Sequence, residues 1–330
     1  MTFEEFIAKY QKVPVEEYPN NVLEKVPNPI VSCRVSTYQH APYIRQCLDG
    51  ILMQKTDFPF EIVIGEDESS DGTREICIEY AQRYPDIIRL FLHKRENNIL
   101  VDGKPTAKFQ GNYTIYQLRG KYHAICEGDD YWTDPLKLQK QVSFLEKNHD
   151  YSLCFHNAVI VNQDTPSESH PFNDINISRD IDLEEIIEWV IPTASIVYRS
   201  YLVPLPDWTY KIYSGDMTLA LLAFTMGKIY SLKDIMSVYR RILNGTSSTS
   251  QLKNQGYYLA DQHITLFELF NIESNSQFHT TISKHLKYLK TKRSYAKWMR
   301  YNKFLALIFV PKYTFRRIIE IINNIKTLST

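Results

Sequence analysis

The stretch Cys126-Glu127-Gly128-Asp129-Asp130-Tyr131-Trp132-Thr133-Asp134-Pro135 places two adjacent acids between an apolar run and an amphipathic helical pattern. Neighbouring carboxylates repel each other, and without a positive partner one of them would hold its proton more tightly. A divalent cation removes that conflict, because Mg²⁺ and Mn²⁺ prefer carboxylate and phosphate oxygens as ligands. The stretch therefore predicts a turn, between a strand and a helix, that binds a metal ion and a nucleotide diphosphate.

Strand-like and helix-like segments alternate around this stretch. Apolar runs predict four strands, at 30–36, 60–65, 87–93 and 121–126. Such alternation predicts an α/β fold, a Rossmann-like and mostly parallel sheet flanked by helices. Because ligands bind these sheets at the carboxyl ends of the strands, the polar turns at 36–40, 66–71 and 127–130 should share one edge.

The remaining elements follow from periodicity and turn residues. Helical stripes predict helices at 3–10, 43–54, 73–84, 109–118, 136–147 and 182–190, a further one after Gly215-Asp216, and helical structure beyond 256. Asp71 is a plausible N-cap for the helix at 73–84. Further strands are predicted at 151–161, 194–199, 228–232 and 235–240, and polar loops at 94–108, 162–180 and 244–250.

The charge is divided unevenly along the chain. Residues 284–330 hold 12 of the 38 Lys and Arg but one of the 38 acids, which leaves 26 basic and 37 acidic residues in 1–283. A basic tail of net +11 behind an acidic body predicts attraction to an anionic membrane surface, although it could also be only a solvated helix face. No nucleic-acid-binding signature accompanies it, so nucleic acid is not expected as a partner.

The cysteines and the apolar runs indicate in which cellular compartment the protein is found. The five cysteines show no C-x-x-C spacing and lie mostly in apolar segments, which is typical of core residues in a reducing compartment. The first residues have no basic and apolar pattern of a signal peptide, and the apolar run at 304–310 is much shorter than a bilayer span. We therefore expect a cytoplasmic protein, peripheral on the inner face of the cell membrane where the basic tail attaches.

Several enzyme classes are excluded by missing motifs. The sequence holds no G-x-G-x-x-G, Walker G-x-x-x-x-G-K-[ST], H-E-x-x-H or G-x-S-x-G pattern. This argues against dinucleotide oxidoreductases, P-loop NTPases, zincins and serine hydrolases.

Three motifs in the first half resemble the nucleotide-binding half of family 2 glycosyltransferases, which have the GT-A fold and invert the anomeric centre. They are Val35-Ser36-Thr37-Tyr38, Ile64-Gly65-Glu66-Asp67-Glu68-Ser69-Ser70-Asp71-Gly72-Thr73 and Glu127-Gly128-Asp129-Asp130. The acceptor half of that family is similar to Gly215-Asp216, Gly227-Lys228-Ile229-Tyr230 and Met236-Ser237-Val238-Tyr239-Arg240.

The resemblance covers roughly 28–250 and sets the expected domain boundaries. These are a lead-in segment at 1–28, a GT-A domain at 29–250, and a helical basic extension at 251–330. Within the domain, 29–135 would be the nucleotide-binding half and 136–250 the acceptor half.

The resemblance assigns roles to the first two motifs. Ser36, Thr37 and Tyr38 would lie against the nucleotide. Glu66 and Asp67 would also belong to the nucleotide-binding site. Asp67, the second acid of the pair, would accept a hydrogen bond from a uracil-type base, and Glu66 stands where an Asp is more usual.

It also assigns the chemistry of the later motifs. Asp130 would ligate Mg²⁺ or Mn²⁺ at the diphosphate, Asp129 would face the ribose or the metal, and Lys108 would contact the base or a phosphate. Asp216 would be the general base. The sequence departs from the family at 241–244, which contains no His where many members have one, so a metal ligand is missing there.

The implied activity is metal-dependent, inverting transfer of a hexosyl or N-acetylhexosaminyl group from a nucleotide-sugar, with a UDP-sugar expected. The acceptor would be a hydroxyl of a glycan or lipid-linked molecule in surface polysaccharide or glycolipid assembly. Two alternatives stay open: a non-catalytic nucleotide- or glycan-binding protein with a degenerate GT-A site, and an NDP-sugar nucleotidyltransferase. The second normally carries a Gly-rich N-terminal loop, and residues 31–43 contain no Gly.

The same acids also admit plainer roles. Asp129-Asp130 could be an exposed turn, 66–71 an acidic turn, and Asp216 the N-cap of its helix. Asp134, followed by Pro135, is expected to be a helix cap and not a ligand. None of the nine His residues shows a ligand spacing, so none receives a role.

Overall fold

The central feature of the fold is a mixed sheet that is parallel in its middle. The structure, a computed structural model, describes residues 1–162, 166–242 and 256–301. The chain divides into two units, Met1–Gln251 and Leu252–Thr330. The sheet lies in the first unit, and the described part of the second unit is helical.

The helices are α1 (Phe3–Tyr10), α2 (Val22–Lys25), α3 (Ile44–Leu52), α4 (Thr73–Arg83), α5 (Lys108–Tyr116), α6 (Lys137–Lys147), α7 (Leu183–Ile187), α8 (Gly215–Met226), α9 (Gly256–Glu273) and α10 (His279–Tyr301). The strands are β1 (Glu16–Glu17), β2 (Val31–Thr37), β3 (Phe60–Glu66), β4 (Ile88–Leu92), β5 (Leu100–Val101), β6 (Lys104–Pro105), β7 (Tyr122–Glu127), β8 (Tyr131–Trp132), β9 (Tyr151–Asn162), β10 (His170–Pro171), β11 (Arg179–Ile181), β12 (Val197–Arg199) and β13 (Lys228–Arg241).

The sheet order within the described residues is β1-β4-β3-β2-β7-β12-β9-β13-β11. The long pairings, β4 with β3, β3 with β2, β2 with β7 and β9 with β13, are parallel. The antiparallel pairings all involve strands of two or three residues, such as β12 between β7 and β9. This confirms the predicted α/β fold with a mostly parallel sheet flanked by helices.

Burial explains why the central strands read as near-continuous apolar runs. In β2 every residue except Arg34 is buried, because helices cover both faces of a parallel sheet. The apolar side of α6 predicted from its spacing, Leu138, Val142 and Leu145, lies in the main core. All five cysteines are buried and free, as the core interpretation expected.

A second apolar cluster fixes the lead-in segment. Phe6 of α1 stacks on Phe109 of α5 with ring centroids 5.3 Å apart, and Tyr210 packs against Phe6 in the same cluster. Phe6 also packs against Tyr116, so helix α1 contacts both ends of α5, the helix that begins at Lys108.

Four local predictions were wrong in detail. The two strands predicted at 228–232 and 235–240 are one strand, β13, with register shifts between Leu232 and Ser237. The helix predicted at 182–190 ends at Ile187, and the strand predicted at 194–199 begins with a 3₁₀ turn over Thr193–Ser195. The predicted loop at 94–108 contains the small β5–β6 hairpin.

The N-cap prediction at Asp71 was displaced by one residue. The cap position is Gly72 with φ of 100°, a backbone conformation that glycine adopts without strain. Asp71 accepts hydrogen bonds from the Thr73 backbone N–H at 3.0 Å and from its hydroxyl at 2.6 Å. It therefore stabilises the helix start from just outside the helix.

In the second unit, α9 and α10 pack as a helical pair, joined by ion pairs of Lys290 with Glu268 and of Arg293 with Asp261. Across the described ranges no helix is long and apolar enough to cross a membrane. The predicted loop at 244–250 and the basic segment beyond Tyr301 lie outside the described residues.

Candidate active site

Three polar turns meet at the carboxyl edge of the parallel strands. In the parallel register Ser36 of β2 lies opposite Gly65 of β3 and Glu127 of β7, and Thr37 lies opposite Glu66. The backbone N–H of Gly128 donates to the Ser36 carbonyl at 2.9 Å. The prediction that these turns share one edge is confirmed.

The acid pair that follows β7 is held in place by Arg240, close to the end of strand β13. Asp130 is 2% exposed, and its Oδ1 accepts the backbone N–H of Arg240 at 2.9 Å. Nη1 of Arg240 donates to the Asp129 carbonyl at 2.5 Å, and its guanidinium lies 4.5 Å from the centroid of the Tyr131 ring. Burial and the nearby Asp129 carboxylate raise the pKa of Asp130 well above its ordinary value.

The two acids differ in accessibility. The Asp129 side chain is 21% exposed, and its Oδ2 lies 3.8 Å from Nε2 of His40. Thr37 Oγ1 and His40 Nδ1 are 3.2 Å apart and hydrogen-bonded. Burial lowers the pKa of His40, while Asp129 opposes that shift. Asp130 is thus fixed inside the turn, and Asp129 faces the opening together with His40.

Gly128 allows the acid turn to lie close to Thr37 and His40. A Cβ at Gly128 would lie 2.6 Å from Thr37 Oγ1 and 2.8 Å from His40 Nδ1. Real Cβ atoms do not approach other atoms so closely, so a side chain here would push the turn away from β2 and His40.

The two acids after β3 have different partners. Glu66 is fully buried, and its carboxylate accepts the Ser69 backbone N–H at 2.7 Å and pairs with Arg74. The structure places it inside its own loop, whose shape it stabilises. Asp67 is also buried, and its Oδ2 accepts Nη1 of Arg95 at 2.9 Å.

Arg95 connects Asp67 to Tyr38. Its guanidinium lies 3.9 Å from the centroid of the Tyr38 ring, the distance of a cation–π contact. Burial raises the pKa of Asp67 to about 7, with Arg95 opposing the shift and Glu66 adding to it. Tyr38, Asp67 and Arg95 therefore form one group on the β3 side of the edge.

Ser36 is one of several buried polar residues in the described ranges with a side-chain atom that has no hydrogen-bond partner. It is 9% exposed, and among the described residues its hydroxyl has no hydrogen-bond partner. A buried hydroxyl without a partner costs free energy, so an orphan at the edge of a sheet indicates a group that the protein binds.

Asp216 lies in the first turn of α8, in the acceptor half. Its Oδ2 accepts the Thr193 hydroxyl at 3.0 Å, and its Oδ1 accepts the Met217 backbone N–H at 2.8 Å. It borders a small apolar cavity lined by Ile186, Trp189, Ile191, Ile196, Met217 and Ala220. The residue is half-buried, which leaves its carboxylate accessible.

Charge links Asp216 to the nucleotide-binding half. Burial raises the pKa of Glu127; the paired Arg34, 2.8 Å away, opposes this, while Asp129 and Asp216 add to it. Burial lowers the pKa of Lys108 to about 8, with Asp216 opposing the shift. The structure thus places Lys108 within electrostatic reach of Asp216.

The acid pair fits a hard divalent cation. Asp129 and Asp130 offer carboxylate oxygens, and the pKa of Asp130 is raised by burial and by the Asp129 carboxylate, whose negative charge a cation would offset. Over 1–162, 166–242 and 256–301 no group of three or more His, Cys, Asp and Glu side chains could hold a metal by itself. Further ligands would therefore come from a bound diphosphate or water, as is common for Mg²⁺.

A parallel sheet with an acid pair at its carboxyl edge, continued by a mixed half that carries a further acid, is the arrangement of the GT-A fold. Comparison with known protein families leads to the same assignment. The model of Glycosyl transferase family 2 matches residues 32–219. The chain belongs to this family.

Individual relatives show how much of the chain is similar to other proteins. An uncharacterized protein of Mycobacterium tuberculosis is 38% identical over 213 residues, which cover 63% of this chain and 58% of that protein. The match thus spans less than two thirds of that relative's length. An uncharacterized glycosyltransferase of a Nostoc species is 25% identical over 278 residues, covering 79% and 82% of the two chains.

Among solved structures, S. aureus TarS 1–349 in complex with UDP-GlcNAc aligns with a TM-score of 0.59 and 20% identity. The alignment covers 86% of this chain and 76% of TarS 1–349. At this identity the likeness shows that the two chains share the fold.

Three residues of the site were not predicted to act there. Arg240 was part of a family motif without a role, and a Tyr-Arg pair after an apolar run was the available signal. Arg95 and His40 carried no signal, because their partners lie far away in the sequence: Arg95 contacts Tyr38 and Asp67, and His40 lies beside Asp129.

Proposed function

We propose that this protein transfers a sugar from a UDP-sugar to an acceptor hydroxyl, with inversion at the anomeric carbon and with Mg²⁺ or Mn²⁺ bound. The observation that carries the proposal is the geometry of the carboxyl edge, where the Asp129-Asp130 turn is anchored to Arg240 and lies beside Ser36. Asp216, oriented by the Thr193 hydroxyl, would be the base on the acceptor side.

The donor nucleotide would bind along the carboxyl edge. Tyr38, with Arg95 on its ring, offers a flat surface for the base. The Asp67 carboxylate, which already pairs with Arg95 and is hydrogen-bonded to Asn98, would accept a base N–H through a remaining lone pair. The unpartnered Ser36 hydroxyl and the neighbouring Thr37 would contact the nucleotide. Glu66 would support this group by shaping its loop.

The uridine nucleotide and the sugar type rest on a neighbour. TarS shares the fold and is known in complex with UDP-GlcNAc, which supports a UDP-linked hexose or N-acetylhexosamine as donor. Lys108, half-buried near Asp216 and Arg34, would contact donor phosphate or sugar.

Asp129 and Asp130 would hold the cation. When bound, the cation stabilises the negative charge of the departing diphosphate and orients it. Asp130 accepts the Arg240 backbone N–H, so the turn is anchored before any ligand arrives.

Asp216 would take the proton of the acceptor hydroxyl as it attacks the anomeric carbon from the face opposite the diphosphate. One such displacement inverts the configuration. Thr193 and the Met217 backbone N–H each donate to one carboxylate oxygen and so fix its orientation. Each oxygen retains a lone pair for the proton.

The acceptor would be a glycan or a lipid-linked molecule in surface polysaccharide or glycolipid assembly. The net charge of +11 in 284–330 supports attachment to the anionic inner face of the cell membrane, where such acceptors are available.

Replacing Asp216 by Asn tests the assignment. We expect UDP formation from a UDP-sugar, with acceptor and Mn²⁺, to fall by about 10²–10⁴-fold, the usual contribution of a general base. Mn²⁺-dependent UDP affinity should stay within about twofold of wild type, because Asn preserves the shape of the side chain. Asp57→Asn, a change at an exposed acid, is the matched control and should leave the rate unchanged.

The outcomes separate the candidates. A near-normal rate for Asp216→Asn would remove the base assignment. Tight UDP binding by the wild-type protein, without turnover of any UDP-sugar across a panel of acceptors, would favour the non-catalytic binding protein.

A further inference from the structure

We propose that His40 provides, through Nε2, an imidazole ligand to the divalent cation that binds at Asp129. The inference rests on the proposed function, since it concerns the cation of the same site. It adds a nitrogen ligand, from the loop between β2 and α3, to a site for which the sequence indicated carboxylates.

The His40 ring is held in the orientation that a metal ligand needs. Its Nδ1 lies 3.2 Å from Thr37 Oγ1, so an Nδ1–H can donate to this hydroxyl and leave the lone pair on Nε2. Its backbone N–H donates to Thr73 Oγ1 at 2.8 Å, and the next N–H, of Ala41, donates to Asp71 Oδ2 at 3.0 Å. Metal-binding histidines usually have their second nitrogen fixed by such a partner.

The separation of the two candidate ligand atoms fits one shared cation. Nε2 of His40 lies 3.8 Å from Oδ2 of Asp129, which is too long for a hydrogen bond. Two atoms bound to one cation at about 2.0–2.1 Å lie about 3 Å apart at a right angle and about 4 Å apart on opposite sides. The observed distance is close to the second value, so the two side chains could bind one cation from opposite sides with little movement.

The surroundings keep this position accessible. The side chains of His40 and Asp129 are 13% and 21% exposed, so the two atoms border an opening and not the packed core. Gly128 lies between the turn and the ring, where any Cβ would come within 2.8 Å of Nδ1. The glycine therefore allows the acid turn and the imidazole to face each other.

His40 and Asp129 would give the cation two protein ligands. Since the described ranges contain no group of three or more ligand side chains, the remaining positions are left to diphosphate oxygens and water.

Pulsed EPR of bound Mn²⁺ tests the ligand directly. We would record hyperfine spectra of the full-length protein with Mn²⁺ alone and with Mn²⁺ and UDP, for wild type, His40→Gln and His149→Gln. His149 is an exposed histidine after α6 and serves as the matched control. We expect a coupling from a directly bound ¹⁴N in wild type and in His149→Gln, and its loss in His40→Gln.

Affinity provides the second readout. In His40→Gln the affinity for Mn²⁺ in the presence of UDP should fall by at least about tenfold, since even outer partners of metal ligands contribute roughly 10–100-fold. Gln can still form hydrogen bonds to Thr37, so the metal-free affinity for UDP should change less than about twofold.

Three results would overturn the proposal: no ¹⁴N coupling in wild type, the same coupling in His40→Gln, or no Mn²⁺ bound to wild type under either condition. None of them decides whether the protein is a sugar transferase, because UDP affinity and turnover of UDP-sugars are measured separately. Conversely, a failure of sugar transfer with the coupling present would leave the ligand assignment standing.

Discussion

Two buried serines near opposite ends of β2 differ in how their hydroxyls are paired, although His123, opposite Ser32 on β7, also has no hydrogen-bond partner among the described residues. At the amino edge, Glu61 is fully buried and fully paired: its carboxylate accepts the Ser32 hydroxyl at 2.6 Å and two nitrogens of Arg119 at 2.6 and 3.1 Å. Ser32 in turn accepts the backbone N–H of Arg119 at 3.0 Å and of Gly120 at 2.8 Å.

At the carboxyl edge the pairing is incomplete. Ser36, four residues after Ser32 on the same strand, is buried without a partner. Burial raises the pKa of Asp67 to about 7 and that of Asp130 well above its ordinary value. A network in which the polar groups are paired with each other stabilises the fold. Polar groups without partners can still form hydrogen bonds to a ligand, so we expect binding at the carboxyl edge.

Breaking the amino-edge network should cause the largest change in stability. Arg119→Met leaves the Glu61 carboxylate buried without its cation, so we expect a loss of roughly 3 kcal/mol in the free energy of unfolding. Urea denaturation would measure it. Arg45→Met, which removes the exposed pair with Glu79, is the control and should cost less than about 1 kcal/mol. If the free energy of unfolding falls no more for Arg119→Met than for the control, the amino-edge network contributes no more to stability than an exposed ion pair.

The same substitution at both ends of β2 sharpens the contrast. Ser32→Ala removes a partner from Glu61 and from two backbone N–H groups, which should cost about 2 kcal/mol of stability and leave the affinity for UDP unchanged. Ser36→Ala removes no hydrogen bond among the residues that the structure describes, so stability should stay within about 0.5 kcal/mol while UDP affinity falls about fivefold. Urea denaturation and calorimetry with UDP give the two values. Equal effects of the two variants on UDP affinity would refute the division.

The pH dependence of base binding tests the role of Asp67 at the carboxyl edge. Asp67 must be ionised to accept an N–H from the base, and its pKa is about 7. The affinity for uridine, which has no phosphate to titrate, should therefore be about tenfold lower at pH 6 than at its high-pH plateau. Titrations followed by NMR would measure it, and Asp67→Asn should give a flat profile. A flat wild-type profile would contradict the role of Asp67.

The raised pKa of Asp67 has the opposite effect on stability: a rise in pH that strengthens base binding lowers the free energy of unfolding. Because the folded state binds this proton more tightly than the unfolded chain, the contribution of Asp67 to stability is present at low pH. It is lost as the pH rises from about 4 through about 7.

The sequence predicted the fold from local patterns and topology rules. The strand predicted at 30–36 is Val31–Thr37 and the one predicted at 60–65 is Phe60–Glu66, because buried parallel strands are continuous apolar runs bounded by polar turns. The position of β12 between β7 and β9 could not be predicted, since three residues carry too little pattern to specify a partner. Register shifts within β13 likewise looked like a break between two strands.

For the site, the sequence predicted which turns meet but not how their side chains pair. The shared edge follows from strand direction alone. The pairing of Asp67 with Arg95 depends on how a loop of irregular structure folds back, and the approach of His40 to Asp129 depends on the space left by Gly128. The roles given to Ser36, Thr37, Tyr38, Asp67, Lys108, Asp129, Asp130 and Asp216 remain predictions for the experiments above.

Arg240 supports the acid turn in two chemically separate ways. Its backbone N–H binds the Asp130 carboxylate, whereas its guanidinium binds the Asp129 carbonyl and Gln46 and lies on Tyr131. In a saturation-mutagenesis library, nineteen of the twenty amino acids would keep the first anchor, and proline, which has no N–H, would remove it. Position 240 therefore offers a graded series in which the reach of the side chain is varied while the buried carboxylate stays bound.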